Sequence, residues 1–123
     1  MDAYGHVNNA VYLNYLEECR DAWAQKILGS VSDPLDFVLA RVAIDFRSQL
    51  TQQDGLITVT CSLDGYGRSS IRTREEIVKS DGTVCAQAQS VIVPVRSDGS
   101  GSRPLGEREK EALAVELTAD EGV

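Results

Sequence analysis

The chain has 123 residues, of which 42% are hydrophobic and 25% charged, the composition of one ordinary globular domain. Its formal net charge of −7 excludes a broad nucleic-acid surface, which needs clustered lysine and arginine. No apolar run is long enough to span a bilayer and the start shows no secretory signal pattern, so a cytoplasmic location is predicted.

The first predicted element is a long amphipathic helix over Asn9–Leu28. Its apolar residues recur at steps of three and four, which places them on one face of a helix: Tyr12, Tyr15, Leu16, Cys19, Trp23 and Ile27. Asn8 or Asn9 is predicted to cap the start of the helix. Gly29 is predicted to end it in the left-handed conformation.

After Pro34 the hydrophobic period changes to two, which indicates strands. Four strands are predicted, over about 38–47, 57–63, 69–78 and 83–95. The run Gly65-Tyr-Gly67 predicts one turn, and Ser80-Asp-Gly82 is a strong hairpin signal. Pro94 is expected to mark the end of the last strand, since it has no N–H to donate.

The remainder of the chain divides by composition. Residues 1–96 are predicted to form the main domain, and the Ser/Gly-rich residues 97–103 a flexible linker. Residues 104–123 are predicted to form a short charged helix, from Pro104 to about Glu116, and a frayed tail from Thr118.

Neither a metal site nor a cofactor is predicted. The cysteines Cys19, Cys61 and Cys85 are odd in number and widely spaced, which favours small core residues over disulfides or metal ligands. A single histidine excludes a zinc site built on several histidines. Gly65-Tyr-Gly67 lacks the downstream glycine and helix of a dinucleotide-binding loop.

Chemistry-bearing residues concentrate ahead of the helix, where Asp2, Gly5, His6, Asn8 and Asn9 fall within nine positions. A helix N-terminus has unpaired N–H groups and the positive end of a dipole, so it suits a developing anion. A carboxylate beside it can activate water or attack a carbonyl. This run, from Asp2 through Gly-His-Val-Asn-Asn into a helix with Tyr, Glu and Arg, resembles the signature of the hotdog-fold, 4-hydroxybenzoyl-CoA thioesterase-like family.

The resemblance covers roughly Asp2 to Val95 and implies an α+β hotdog fold, in which a curled antiparallel sheet wraps one long central helix. In that family the catalytic Asp follows a first strand. Here Asp2 is the second residue, so that strand is expected to be missing from this chain. A start assigned too far downstream is the favoured explanation, because a sheet without that strand exposes unpaired backbone groups.

By the same resemblance, Asp2 is the catalytic carboxylate, as nucleophile or as general base for water. His6 hydrogen-bonds the thioester carbonyl or orients water, a role weighed evenly against that of a turn histidine. Asn8 and Asn9 fix the helix start so that its N–H groups face the substrate. Gly5 lets the backbone approach the ligand closely.

Two further residues are implied to bind substrate. Tyr12, a core residue first, also lines the acyl pocket, and Arg68 contacts the CoA phosphates. For Arg72 and Arg74, contact with the CoA phosphates is weighed equally against a surface ion pair with the neighbouring Glu75 and Glu76. The weak basic cluster favours CoA only slightly over acyl carrier protein, whose acidity would slow encounter with an acidic chain.

Glu17 and Arg20 also match positions of the family's helix, where pairing is expected rather than chemistry. Glu17 lies close enough to Arg20 or Asp21 for pairing on the helix surface.

The predicted function is hydrolysis of an acyl-CoA to a free acid and CoA by a homodimer or homotetramer with sites between subunits. The first alternative is an acyl-thioester-binding protein without catalysis. A hydratase or dehydratase of the same fold ranks third, because its His and acid placement is not found. The acyl chain length and an aromatic or aliphatic preference are left open.

Overall fold

The computed structural model describes residues 9–33, 36–48 and 55–121, without the side chains of residues 9, 10 and 119–121. The elements are, in chain order, α1 (Asn9–Leu28), β1 (Phe37–Phe46), β2 (Ile57–Tyr66), β3 (Ile71–Lys79), β4 (Val84–Pro94) and α2 (Glu107–Glu121). The strands form one antiparallel sheet in the order β1-β4-β3-β2, which confirms the α+β class. None of the described helices is both long and apolar enough to span a bilayer.

Helix α1 has the predicted bounds, but its buried face is offset from the predicted stripe. The buried residues recur mainly at steps of four: Tyr12, Leu16, Arg20, Trp23, Ala24 and Leu28. The predicted members Tyr15, Cys19 and Ile27 are half-buried. The apolar pattern missed the true face because a charged residue, Arg20, lies in the middle of it. This face packs on β2 and β3 and, near the helix end, on α2.

Gly29 follows the last residue of α1, as predicted, but the prediction of a left-handed conformation was wrong. The glycines with positive φ among the described residues are Gly55, Gly82, Gly99 and Gly101. At Gly29 the chain stays close to the helix, and its N–H donates to Gln25 O at 3.0 Å. A Cβ on Gly29 would lie 2.2 Å from that same oxygen, so space rather than φ favours glycine here.

The two predicted turns of the sheet had different outcomes. The hairpin at residues 80–82 is confirmed, with Gly82 at φ 90° and its N–H donating to Lys79 O at 3.0 Å. The turn predicted at Gly65–Gly67 was placed too early, because β2 continues to Tyr66 through a bulge after Leu63. The turn lies at residues 67–70 instead.

The C-terminal part packs on the same core as the sheet. Residues 97–103, predicted as a flexible linker, form a turn in which Arg96 N–H donates to Gly101 O at 2.8 Å. Helix α2 runs further than predicted, to Glu121. Leu105 and Leu113 are buried in one cluster with residues of α1 and of the sheet, so packing stabilises a helix with few apolar residues of its own. The domain boundaries at 96 and 103 stay predictions.

Candidate active site

The site residues predicted from the sequence lie on both sides of the start of α1, where the described part of the chain begins. Asp2, Gly5, His6 and Asn8 lie outside the described residues, so their roles stay predictions. Asn9 is the first helical residue, which confirms where the helix begins, although its side chain is not described. The N–H groups of the first turn of any helix have no partner within the helix, and the positive end of the helix dipole favours an anion there.

Tyr12 connects this helix start to the end of β1. Its ring meets Phe46 edge-on, with centroids 5.3 Å apart and planes at 78°, and its hydroxyl donates to Ser48 O at 3.3 Å. Tyr12 is only 3% exposed, whereas Phe46 is 46% exposed. Tyr12 therefore fixes the helix start against the sheet, and its predicted contact with an acyl chain stays a prediction.

A groove runs between α1 and β1, because α1 packs over β2 and β3 and leaves the inner face of β1 partly open. Its apolar residues are unusually exposed for their type: Leu13 on the helix (44%), and Leu39 and Phe46 on the strand (46% each). Beside the second half of the helix the groove deepens into a cavity of about 220 Å³. The cavity is lined by Glu17, Arg20, Asp21, Ala24, Phe37, Leu39 and Ile92.

A buried polar network forms the floor between the helix and the sheet. Arg20 Nη1 donates to Glu75 Oε1 at 3.0 Å and to Ser90 Oγ at 3.1 Å. Ser90 Oγ donates to Glu75 Oε2 at 3.2 Å, and Thr73 Oγ1 donates to Glu75 Oε1 at 3.0 Å. All four residues are buried, so each charge is matched inside the core.

Sequence reasoning missed this network. The surface pairing predicted between Glu17 and Arg20 is wrong, because the Arg20 guanidinium turns inward to Glu75, 55 positions along the chain. Two periodic patterns in the sequence nevertheless indicated that Arg20 and Glu75 are buried. Arg20 continues the four-residue step of Leu16, and Glu75 alternates with Ile77 on the inner face of β3.

Arg68 lies far from the start of α1 in the same chain. It is an exposed residue of the turn between β2 and β3, and its carbonyl accepts a hydrogen bond from Leu105 N–H at 2.8 Å. The strand pairing puts this turn at the end of the sheet where β1 begins. Helix α1 starts at the opposite end, where Tyr12 meets Phe46. One chain alone therefore does not bring Arg68 to the helix start.

Arg72 and Arg74 lie on the outer face of the sheet, away from α1. Arg74 forms an ion pair, but its partner is Asp64 at 3.7 Å rather than Glu75 or Glu76. Both side chains of this pair are more than a third exposed, so the pair contributes little to stability. Glu75 cannot pair with Arg74 on the outer face because its side chain faces the core.

The three cysteines form no disulfide with one another: Cys85 is buried, and Cys19 and Cys61 are half-buried. Burial, and secondarily the nearby Glu75 carboxylate, raise the pKa of Cys19 and raise that of Cys61 to about 12. Such thiols stay protonated near neutral pH and are poor nucleophiles. Within residues 9–33, 36–48 and 55–121, no three His, Cys, Asp or Glu side chains come together as a metal site requires.

Comparison with known proteins agrees with this architecture. Residues 1–116 match the Thioesterase-like superfamily, so the match extends beyond Val95 into α2. The long-chain acyl-CoA thioesterase FadM of Escherichia coli is 32% identical over 99 residues, which cover 76% of this chain and 73% of FadM.

Two solved structures are similar over most of their length. A thioesterase from Thermus thermophilus, complexed with coenzyme A and Zn, has a TM-score of 0.79 and 32% identity, covering 92% of this chain and 87% of its own. A predicted thioesterase from Bacillus stearothermophilus has a TM-score of 0.81 and 26% identity, covering 94% and 86%. The chain therefore belongs to the thioesterase-like superfamily and has its hotdog fold.

Proposed function

We propose that this protein hydrolyses acyl-CoA thioesters: water and acyl-CoA give a carboxylic acid and free CoA. The observation that carries the proposal is the groove between α1 and β1, which is lined by the exposed apolar side chains of Leu13, Leu39 and Phe46 and deepens into the cavity beside Arg20. The family membership and the similarity to FadM support the same reaction. A groove of this kind holds an acyl chain while the helix start faces the thioester.

In the proposed mechanism the helix start stabilises the tetrahedral oxyanion. Donors held in place for such a charge are worth about 3 kcal/mol each in acyl transfer. Asp2 either attacks the thioester carbonyl or takes a proton from the attacking water, and His6 orients the carbonyl or the water. Gly5, Asn8 and Asn9 shape the turn that aims these groups.

We further propose that the site is completed by a second copy of the chain. Strand β1 is an edge of the described sheet, and its Val38, Leu39 and Phe46 are each nearly half exposed. A two-fold axis would pair two such edges antiparallel, so that the end of one β1 meets the beginning of the other. This arrangement would turn the sheet end carrying Arg68 of one copy toward the α1 start of the other.

Arg68 is then free to contact the CoA phosphates, because it is exposed and makes no ion pair among the described residues. Light scattering should give a molar mass of at least twice the 13.4 kDa of the chain. A monomer at assay concentration would contradict the shared site. A cytoplasmic location is proposed with it, on the sequence alone.

The test is release of free thiol from short, medium, long and aromatic acyl-CoAs, with the Asp2→Asn variant alongside. We expect turnover by the wild type and a loss of about a hundredfold or more in Asp2→Asn. Asp45→Asn is the matched control, since Asp45 is exposed on the outer face of the sheet. Binding without turnover, unaffected by Asp2→Asn, would favour the non-catalytic alternative.

A further inference from the structure

Arg20 has hydrogen-bonding capacity that its buried ion pair does not use. It is 6% exposed, and both of its hydrogen bonds, to Glu75 and Ser90, come from Nη1. Nε and Nη2 make no hydrogen bond to the described part of the chain. Both atoms keep some contact with solvent. Among the described residues, the side-chain nitrogen or oxygen that is fully buried and has no hydrogen-bond partner is Trp23 Nε1, not an atom of Arg20. A guanidinium has five N–H donors, so several remain available.

Arg20 lines the cavity of about 220 Å³ between α1 and the start of β1. The cavity combines apolar walls with two kinds of polar group. Arg20 supplies donors, and the carboxylates of Glu17 and Asp21, both exposed residues, supply acceptors at the rim. A buried charge that lines a partly apolar cavity is suited to fixing one polar atom of a ligand.

We propose that this cavity is a subsite for a hydroxyl group carried on the middle part of a long acyl chain. A hydroxyl both accepts and donates, so it can accept from Arg20 and donate to Glu17 or Asp21. A carboxylate would be repelled by those two acids, and an unsubstituted chain would cover the Arg20 donors without replacing their hydrogen bonds. The inference rests on the proposed thioesterase function, whose acyl chain would occupy the groove.

The position of Arg20 defines which acyl groups reach it. It lies 11 residues after Asn9, where α1 begins, and at 1.5 Å per residue this is about 16 Å along the helix. An aromatic acyl group bound at the helix start would not span that distance. A long aliphatic chain would, with its middle carbons beside Arg20. The subsite therefore concerns substituted long chains rather than aromatic acyl groups.

The experiment compares ricinoleoyl-CoA with oleoyl-CoA, which differ by one mid-chain hydroxyl. Hydrolysis is measured as kcat/KM, and affinity is measured separately by calorimetry with ricinoleic and oleic acids. We expect the wild type to prefer the hydroxylated member by about tenfold in both measurements. If neither thioester is hydrolysed, the proposed function is contradicted but the subsite is not, because the affinity ratio of the two fatty acids still tests the subsite.

Two variants separate the subsite from the fold. Arg20→Lys keeps a positive charge opposite Glu75 but lacks the extra planar donors, and it should bring the preference close to one. The double variant Glu17→Ala/Asp21→Ala removes exposed acceptors without touching the buried pair, and should reduce the preference as well. Glu18→Ala, an exposed helix residue outside the cavity lining, is the matched control. Equal kcat/KM and equal affinity for the two members of the pair in the wild type would overturn the inference.

Discussion

Glu109 offers a quantitative test of how α2 is held on the domain. It is the third residue of α2, is 4% exposed, and accepts two hydrogen bonds from Arg103, at 2.8 and 3.0 Å. It also accepts the Gly106 N–H at 2.7 Å, as in a capping box, and the hydroxyl of Ser32 from the segment after α1. Burial by itself would raise the pKa of Glu109, but these hydrogen bonds outweigh it and lower the pKa from 4.5 to about 2.

The size and the sign of the effect follow from proton linkage. A fall in pKa from 4.5 to about 2 corresponds to about 3 kcal/mol of folding free energy, at 1.36 kcal/mol per pKa unit. Because the folded state has the lower pKa, this stability is fully present above pH 4.5 and is lost as the pH falls toward 2. Glu109→Gln removes the charge at nearly constant volume. We therefore expect it to lower the free energy of unfolding by about 3 kcal/mol at pH 7.

Urea unfolding of the wild type and of Glu109→Gln, at several values between pH 7 and pH 3, measures this difference. The gap between the two proteins should narrow as the pH falls. Glu111→Gln, an exposed position of the same helix, is the control and should change stability little at any pH. A Glu109→Gln gap that stays constant across this pH range would refute the reasoning, since the loss would then come from packing rather than from charge.

Further predictions concern the turn glycines and the thiols. Gly82→Ala should lower the free energy of unfolding by about 1 kcal/mol, because Gly82 has φ 90°, and an unchanged urea midpoint would contradict this. Gly65→Ala should lower the free energy of unfolding by less than Gly82→Ala does. The added Cβ would lie 2.3 Å from Arg72 Nη2, but that guanidinium is exposed and can move aside. A larger loss than for Gly82→Ala would contradict this expectation. Cys61, with its pKa raised to about 12, should react with iodoacetamide far more slowly in the folded protein than in urea at pH 8, and equal rates would show that the thiol is not protected.

Periodicity correctly predicted the elements that are determined by residues close together in the sequence. The twenty residues of α1, the alternation along β2 from Ile57 to Leu63 and the hairpin glycine at 82 are local features, and the structure confirms them. The turn after β2 was misplaced because an extra residue, Asp64, bulges from the β2–β3 ladder between Leu63 and Gly65 and lets β2 continue to Tyr66. That irregularity depends on the partner strand, which local sequence does not specify.

The length of α2 was underestimated for a related reason. Its sequence is mostly charged, and residues such as Val115 are 70% exposed, so little in the helix itself indicates stability. Leu113 and the Glu109 network stabilise it through contacts with α1 and with the segment that follows α1. Tertiary contacts of this kind override a weak local pattern.

The buried pair of Arg20 and Glu75 links the stability of the domain to its proposed specificity. Because Arg20 lies in the middle of the buried face of α1, its pairing with β3 fixes the rotation of the helix, and so the direction of the N–H groups at its start. Removing one partner of a buried pair typically costs about 3–5 kcal/mol, a large part of the 5–15 kcal/mol that stabilises a domain. Substitutions at Arg20 itself would therefore be tolerated poorly. Glu17 and Asp21 line the same cavity but are exposed, so we expect acyl preference to be altered through them with little loss of stability.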